Sequence, residues 1–343
     1  MKAHKTITRT LCVAAILAGT TSIAFADARA DLEAAAAAEG RLIIYSSNQD
    51  AEMEAKLAAF EAKYPAIDVD YIRLPSVQVF ARFVSEHDAG ITQADLLTTA
   101  STVLMQERPD LFIPLGPENV PALGEMTPLI TPENPNYAVY QTDIQLVTYN
   151  NTTVSQDDIA QHLASWEGLA DPRWKDQIVI VDPRGSTNQL SFLIGLRNAY
   201  GEDWFSGLMA NNPQIVNTAS SGAQQVAAGA FELMVPSVPV HSAALRGQGA
   251  PIGLTLPEGL NHAPAQGTAV PVGASNPNAA LLFIDWLLSE EGQALQCRLG
   301  GIPTMPVTSA DCVNTLPADH MVGMDIIPAD LAASTYQLVN LAP

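Results

Sequence analysis

Apolar positions along the chain fall into two alternating periods. Arg41-Leu42-Ile43-Ile44-Tyr45 is an apolar run of strand length, and Ser46-Ser47-Asn48-Gln49-Asp50 after it is a polar turn. Met53, Leu57, Phe60 and Tyr64 then recur at helical spacing until Pro65 stops the pattern. Ile67, Val69 and Tyr71 alternate with Asp68 and Asp70, as in a half-buried strand. A helix is expected from Val77 to a stop at Gly90, and a strand over Ala94-Asp95-Leu96-Leu97 that ends in Thr98-Thr99-Ala100-Ser101. Strand, turn, helix, strand is the rhythm of a parallel sheet. Open sheets of that kind bind ligands at the carboxyl ends of their strands, where these polar turns lie.

A second series follows a Pro-rich connection over 109–136. It opens with the extended run Gln145–Asn150 and a short polar helix over Ser165–Trp174. The apolar strand Ile178–Val181 stops at Asp182-Pro183-Arg184-Gly185-Ser186-Thr187, where Ser186 or Thr187 is placed to cap a helix carrying Leu190, Leu193 and Ile194. Backbone N–H groups at such a start are free to meet an anion. Further on the pattern predicts a strand near Gln214–Asn217, a helix over Ala223–Ala228 and strands at Phe231–Val235, Ile252–Leu256 and Gly267–Val272. The strongest helical pattern starts at Asn276, a capping residue, with Pro277 in the first turn. Near the start, an Ala-rich helix spans Asp31–Glu39 before Gly40.

The 343 residues suffice for two domains, and with 48% hydrophobic and 15% charged residues a large core is readily built. Residues 1–26 read as a secretory signal peptide. Lys2, Lys5 and Arg9 precede the apolar stretch Leu11–Ala18, and Ala24-Phe25-Ala26 offers a cleavage site. Removing those three bases from sixteen leaves 13 against 36 acids, a balance of −23 that repels nucleic acid and anionic membranes. The mature chain is expected to be soluble. In an oxidising compartment, Cys297 and Cys312 are better matched to a disulfide than to two buried thiols.

The sequence lacks a Gly-x-Ser-x-Gly elbow, a His-Glu-x-x-His pair, a Walker loop and a Cys-x-x-Cys pair. His4, His87, His162, His241, His262 and His320 are scattered without metal-ligand spacing. A secreted hydrolase using Ser186 or Ser221 is the alternative from another class; the expectation is a protein that is not an enzyme and carries no cofactor.

Several segments carry a family resemblance: Leu42-Ile43-Ile44-Tyr45-Ser46-Ser47, Ala94-Asp95-Leu96-Leu97, Tyr149-Asn150-Asn151, the run Ser165–Trp174, Val181-Asp182-Pro183, and Ala279 through Gln293. With these, the chain resembles the periplasmic solute-binding proteins of bacterial ABC importers, in the branch of ferric-iron, phosphonate, sugar-phosphate, thiamine and polyamine receptors. The resemblance implies a periplasmic-binding-protein-like α/β fold of the class II type, with two lobes, a ligand cleft and hinge strands. Lobe one would hold 27–142 and about 260–296, and lobe two 143–255 and about 297–343. The protein would be a periplasmic monomer that closes on a small solute and delivers it to a membrane permease.

On that reading the cleft is faced by Ser46, Ser47 and Asn48; Thr99 and Ser101; Arg184, Ser186 and Thr187; Ser220 and Ser221; and Ser237 with His241. These are hydroxyl-rich loops, with Arg184 as the cation and Arg73 as a further candidate. The set suits a small anionic or polar solute such as a phosphonate, phosphate ester or carboxylate. Iron receptors of the branch carry adjacent tyrosines where this chain has Pro236-Ser237-Val238-Pro239-Val240-His241. Ferric iron, bound through a chelate or a bridging anion, is the alternative ligand.

Overall fold

The computed structural model describes residues 11–132, 134–309, 312 and 327–342, with side chains from residue 25 onward. Lys2, Lys5, Arg9, His4 and His320 lie outside the described residues. Residues 11–39 form one continuous helix, Leu11–Glu39, so the apolar stretch Leu11–Ala18 and the Ala-rich helix are joined. Among the described residues no helix is long and apolar enough to cross a membrane.

The chain builds one sheet, crosses over to build a second, and returns. It first lays down β1 (Arg41–Ser46), β2 (Asp68–Arg73), β3 (Leu96–Thr99) and β4 (Ala138–Thr142). It then makes β5 (Leu146–Asn150), β6 (Ile178–Val181), β7 (Gln214–Val216), β8 (Leu233–Ser237) and β9 (Ile252–Thr255). On returning it adds β10 (Ala265–Ala269) and β11 (Ile302–Pro303) to the first sheet. The orders are β11-β4-β10-β3-β1-β2 and β7-β6-β8-β5-β9. In each, three parallel strands meet antiparallel ones at the crossover side: β10 against β3, and β5 against β8.

Apolar side chains cover both faces of each sheet, which is why the parallel strands read as continuous runs. Leu42, Ile44 and Leu96 pack with Met53 and Phe60 on one face of the first sheet, and Tyr45 and Leu97 with Val79 and Phe83 on the other. In the second, Ile178 and Ile180 meet Trp166 and Phe192, while Val179 and Val181 meet Ala223 and Val226. The helix Pro277–Leu288 is buried without a break from Ala279 to Leu288. Each large side chain so buried contributes roughly 1.5–3 kcal/mol.

Several elements differ from their sequence reading. β4 falls in a stretch with no anticipated strand, and β8 is shifted to Leu233–Ser237, through Pro236. Ser165–Trp174 makes two 3₁₀ turns, Trp166–Ala170 and Pro172–Trp174, instead of one helix. Ser186 and Asn276 occupy N-cap positions, but neither side chain caps. Asn276 instead donates its Nδ2 to Asp95 Oδ2 (2.9 Å), and the open N–H groups of Asn278 and Ala279 go to Glu39 (3.2 and 2.8 Å). A tertiary carboxylate thus does the capping, and the dipole favours its charge there. The helix expected at 223 starts at Ala219, because Thr218 Oγ1 accepts from Ser221 N (3.2 Å).

The two crossing segments run side by side. Asp143 N donates to Pro264 O (3.2 Å) and Gln145 N to His262 O (2.8 Å). Residues 302–304 stay with the first sheet, since β11 pairs with β4 and Thr304 N donates to Gln293 Oε1 (2.7 Å). The boundary drawn near residue 297 is therefore too early. The helix Ala329–Leu338 is what returns to the second lobe, where Arg197 Nη1 donates to Ser334 Oγ (2.9 Å). Cys297 and Cys312 are bonded, with Cα atoms 5.0 Å apart.

Candidate functional site

The carboxyl ends of β1, β2 and β3 face those of β6, β7 and β8 across a cleft. Its lining includes Ser47, Asn48, Gln49, Glu52, Arg73 and Gln266 from one lobe. Ser186, Gln189, Asn217, Thr218, Val238 and His241 line it from the other. The cavity left between the lobes in this form is small, about 90 Å³, and open at its mouth. The lobes touch at the rim in this form. Thr187 N donates to Ser101 Oγ (3.3 Å), Asn188 Nδ2 donates to Ala100 O, and Ser220 Oγ bonds Gln49 Oε1.

Of the residues expected in the cleft, Ser47, Asn48, Ser186 and His241 line it. Ser46, Thr99, Ser101 and Ser237 are fully buried behind its wall. Ser46 Oγ and Thr98 Oγ1 hold Asn48, while Thr99 Oγ1 accepts from Ser101 N (3.1 Å) and Ser237 Oγ accepts from Thr148 Oγ1 (2.7 Å). Thr187 and Ser220 join the lobes, and Ser221 Oγ accepts from Gln225 Nε2 (3.3 Å). These hydroxyls are mostly consumed by the scaffold.

Arg184 is outside the cleft lining. The 3₁₀ turn Pro183–Gly185 folds it back on Asp182, with Nε and Nη2 at 3.0 and 2.7 Å from the carboxylate. Burial pulls the Asp182 pKa up, but Arg184's hydrogen bonds outweigh it and leave the value lowered. The pair sits in an outer groove that shares Pro75, Gly185, Asn217 and Thr218 with the cleft.

Arg73 is the cation inside. It lies at the end of β2, where Nε donates to Asn48 O (3.1 Å) and Nη2 to Gln49 Oε1 (3.4 Å). Among the described residues no carboxylate is within ion-pair distance of it. His241 lies on the other lobe, its pKa pushed down to about 4 by burial and by the Arg73 charge. The ring is therefore neutral, and since Nδ1 accepts from Val238 N (3.2 Å), the proton is on Nε2. The helix starts at Thr187 and Ala219 add N–H groups from the second lobe.

Glu52, Gln49, Gln189, Asn217, Thr218 and Gln266 are lining residues that the sequence reading omitted. Glu52 is buried, its Oε1 accepting from Asn48 Nδ2 (2.9 Å) and Lys56 Nζ (2.5 Å). Only its position one turn beyond the first polar loop could have marked it. Among the described residues no group of three His, Cys, Asp or Glu is placed to hold a metal ion.

The family described as bacterial extracellular solute-binding protein matches residues 91–326. Iron uptake protein A1 of a Synechocystis species is 27% identical over 291 residues, 76% of each chain. The substrate binding protein of an ABC transporter from Agrobacterium tumefaciens has a TM-score of 0.76 at 18% identity, covering 87% of this chain and 95% of that one. The periplasmic binding protein AfuA of Actinobacillus pleuropneumoniae, solved with fructose-6-phosphate, has a TM-score of 0.66 at 22% identity, covering 88% and 97%.

Proposed function

The chain belongs to the bacterial extracellular solute-binding proteins, and from that premise we propose that it is the periplasmic receptor of an ABC importer for a small oxyanion-bearing solute. Phosphonates, phosphate esters and carboxylates are the favoured classes. The observation that carries this reading is Arg73, a cleft guanidinium without a carboxylate partner among the described residues, in a cleft shared with the neutral His241. An oxyanion would meet Arg73 from one lobe, and Nε2–H of His241 and the helix-start N–H groups from the other. Such contacts with both lobes favour the closed form. The paired segments Asp143–Gln145 and His262–Pro264 are the natural hinge, dividing the chain into two working lobes. The solute would then pass to a membrane permease.

Ferric iron is the second reading, favoured by the named activity of the Synechocystis relative. The cleft offers Glu52, already held by Lys56, as a metal donor, while His241 has Nδ1 engaged by Val238 N–H and its proton on Nε2, so a ferric chelate such as citrate fits it better than the bare ion. Thermal-shift measurements with fructose 6-phosphate, aminoalkyl phosphonates, dicarboxylates and ferric citrate test both readings. A solute at 100 times its Kd adds about 2.7 kcal/mol to the folded state. A shift confined to ferric citrate would replace the first reading with the second, and no shift with any class would overturn both.

A further inference from the structure

Beneath the cleft, the hinge contains a charge cluster that solute contacts alone do not account for. Asp143, in the first crossing segment, is 1% exposed. It accepts two long bonds from Gln141 Nε2 (3.2 and 3.3 Å). Glu52 and Lys56 face it from the helix Asp50–Lys63, 3% and 1% exposed. Lys56 Nζ sits on Glu52 Oε1 (2.5 Å) and reaches Gln141 Oε1 at 3.4 Å. One lysine thus serves two buried carboxylates, and Asp143 is the one without a cation in contact.

The other groups around Asp143 do not neutralise it. Tyr140 on β4 is a buried phenol whose pKa is raised by burial and by Glu52, so it stays neutral. The second crossing segment carries His262, pushed down to about 4 by burial. Gln266 on β10 lies beside Asp143 and leaves its own Oε1 buried without a donor, as does Gln145 in the hinge. A protonated Asp143 would find an acceptor in Gln266 when that amide turns over. Glu52 and Gln266 also line the cleft, and are the side of the cluster that opening the lobes would expose to water.

We infer that Asp143 couples cleft closure to the uptake of one proton, so that solute capture strengthens as the surroundings acidify. This rests on the proposed receptor function and adds its regulation. Burial, followed by the Glu52 charge, pushes the Asp143 carboxyl up to about 7 in this closed form. Hydrated in the open form, it would titrate at an ordinary carboxyl value of about 4. The closed form then binds the extra proton between pH ~4 and ~7, gaining stability as pH falls through that window and losing it as pH rises through ~7. Full coupling would make closure up to about thirtyfold more favourable at pH 5.5 than at pH 8.

The test is proton counting by calorimetry in buffers of different ionisation enthalpy, with fructose 6-phosphate as the probe. At pH 6 the parent should take up about 0.9 proton more than Asp143→Asn, and at pH 8.5 the difference should vanish. The subtraction removes the titration of the phosphate itself. Equal uptake by the two proteins overturns the inference. If the probe fails to bind, the oxyanion reading fails separately, and small-angle scattering of the solute-free proteins decides the hinge. At pH 8 Asp143→Asn should be the more compact, and at pH 5 the two should match; identical profiles at both pH values overturn the inference. Asp143→Ser replaces the Asn variant if that one does not fold.

Discussion

Replacing Arg73 by Ala separates the two cations that the sequence offered for the cleft. In the closed form, Arg73 uses Nε and one Nη2 proton on Asn48 O and Gln49 Oε1, which keeps the guanidinium at the cleft wall with donors to spare. Truncating one partner of a buried charge-assisted contact costs about 2–5 kcal/mol. At 1.4 kcal/mol per decade this is roughly 30- to 4000-fold in Kd. Arg73→Lys should recover only part of the loss, since an ammonium cannot make the planar two-pronged contact. Arg184→Ala should stay within about twofold of the parent, because Arg184 is exposed, folded on Asp182, and outside the cleft lining. Titration calorimetry with fructose 6-phosphate, or with whichever solute gives the largest thermal shift, measures all three. Arg73→Ala binding within twofold while Arg184→Ala loses tenfold or more would refute the assignment of the cleft cation.

Two stability predictions follow from local geometry. Reducing Cys297–Cys312 opens a loop with a sequence separation of 15, worth about 3 kcal/mol in the chain-entropy model. Urea unfolding with and without reductant measures it, and free-thiol labelling of the unreduced, unfolded protein should give no signal. Gly292→Ala would place a Cβ 2.2 Å from Trp286 O and 2.8 Å from Leu287 O, both backbone atoms that cannot give way. It should destabilise by roughly 1–3 kcal/mol; an unchanged denaturation midpoint would contradict that contact.

The βαβ rhythm and the polar turns at strand ends were legible because periodicity reports burial, and these strands are buried on both faces. β4 escaped because Tyr137-Ala138-Val139-Tyr140-Gln141-Thr142 mixes apolar and amide residues, and its Gln141 serves the hinge cluster instead of the core. Capping was misread at Asn276 for a related reason. The local signal was present, but Glu39, more than two hundred residues away, supplies the acceptors. The cleft followed the same division. Turn chemistry named Ser47, Asn48, Ser186 and His241, whereas Arg184 looked available only because its Asp182 partner belongs to a strand end. Arg73 was offered as the second candidate cation, whereas Glu52 and Gln266, from the same lobe, enter through side-chain direction, which one-dimensional spacing does not carry.

The central claim is that a solute is held between the lobes, and hydrogen exchange tests it most directly. Backbone amides should be followed with and without the solute that gives the largest thermal shift. The account predicts added protection on both rims: Ser47–Gln49 and Ala100–Ser101 on one lobe, Gly185–Gln189 and Asn217–Ala219 on the other. Protection confined to one lobe, or centred on residues away from these turns, would contradict it.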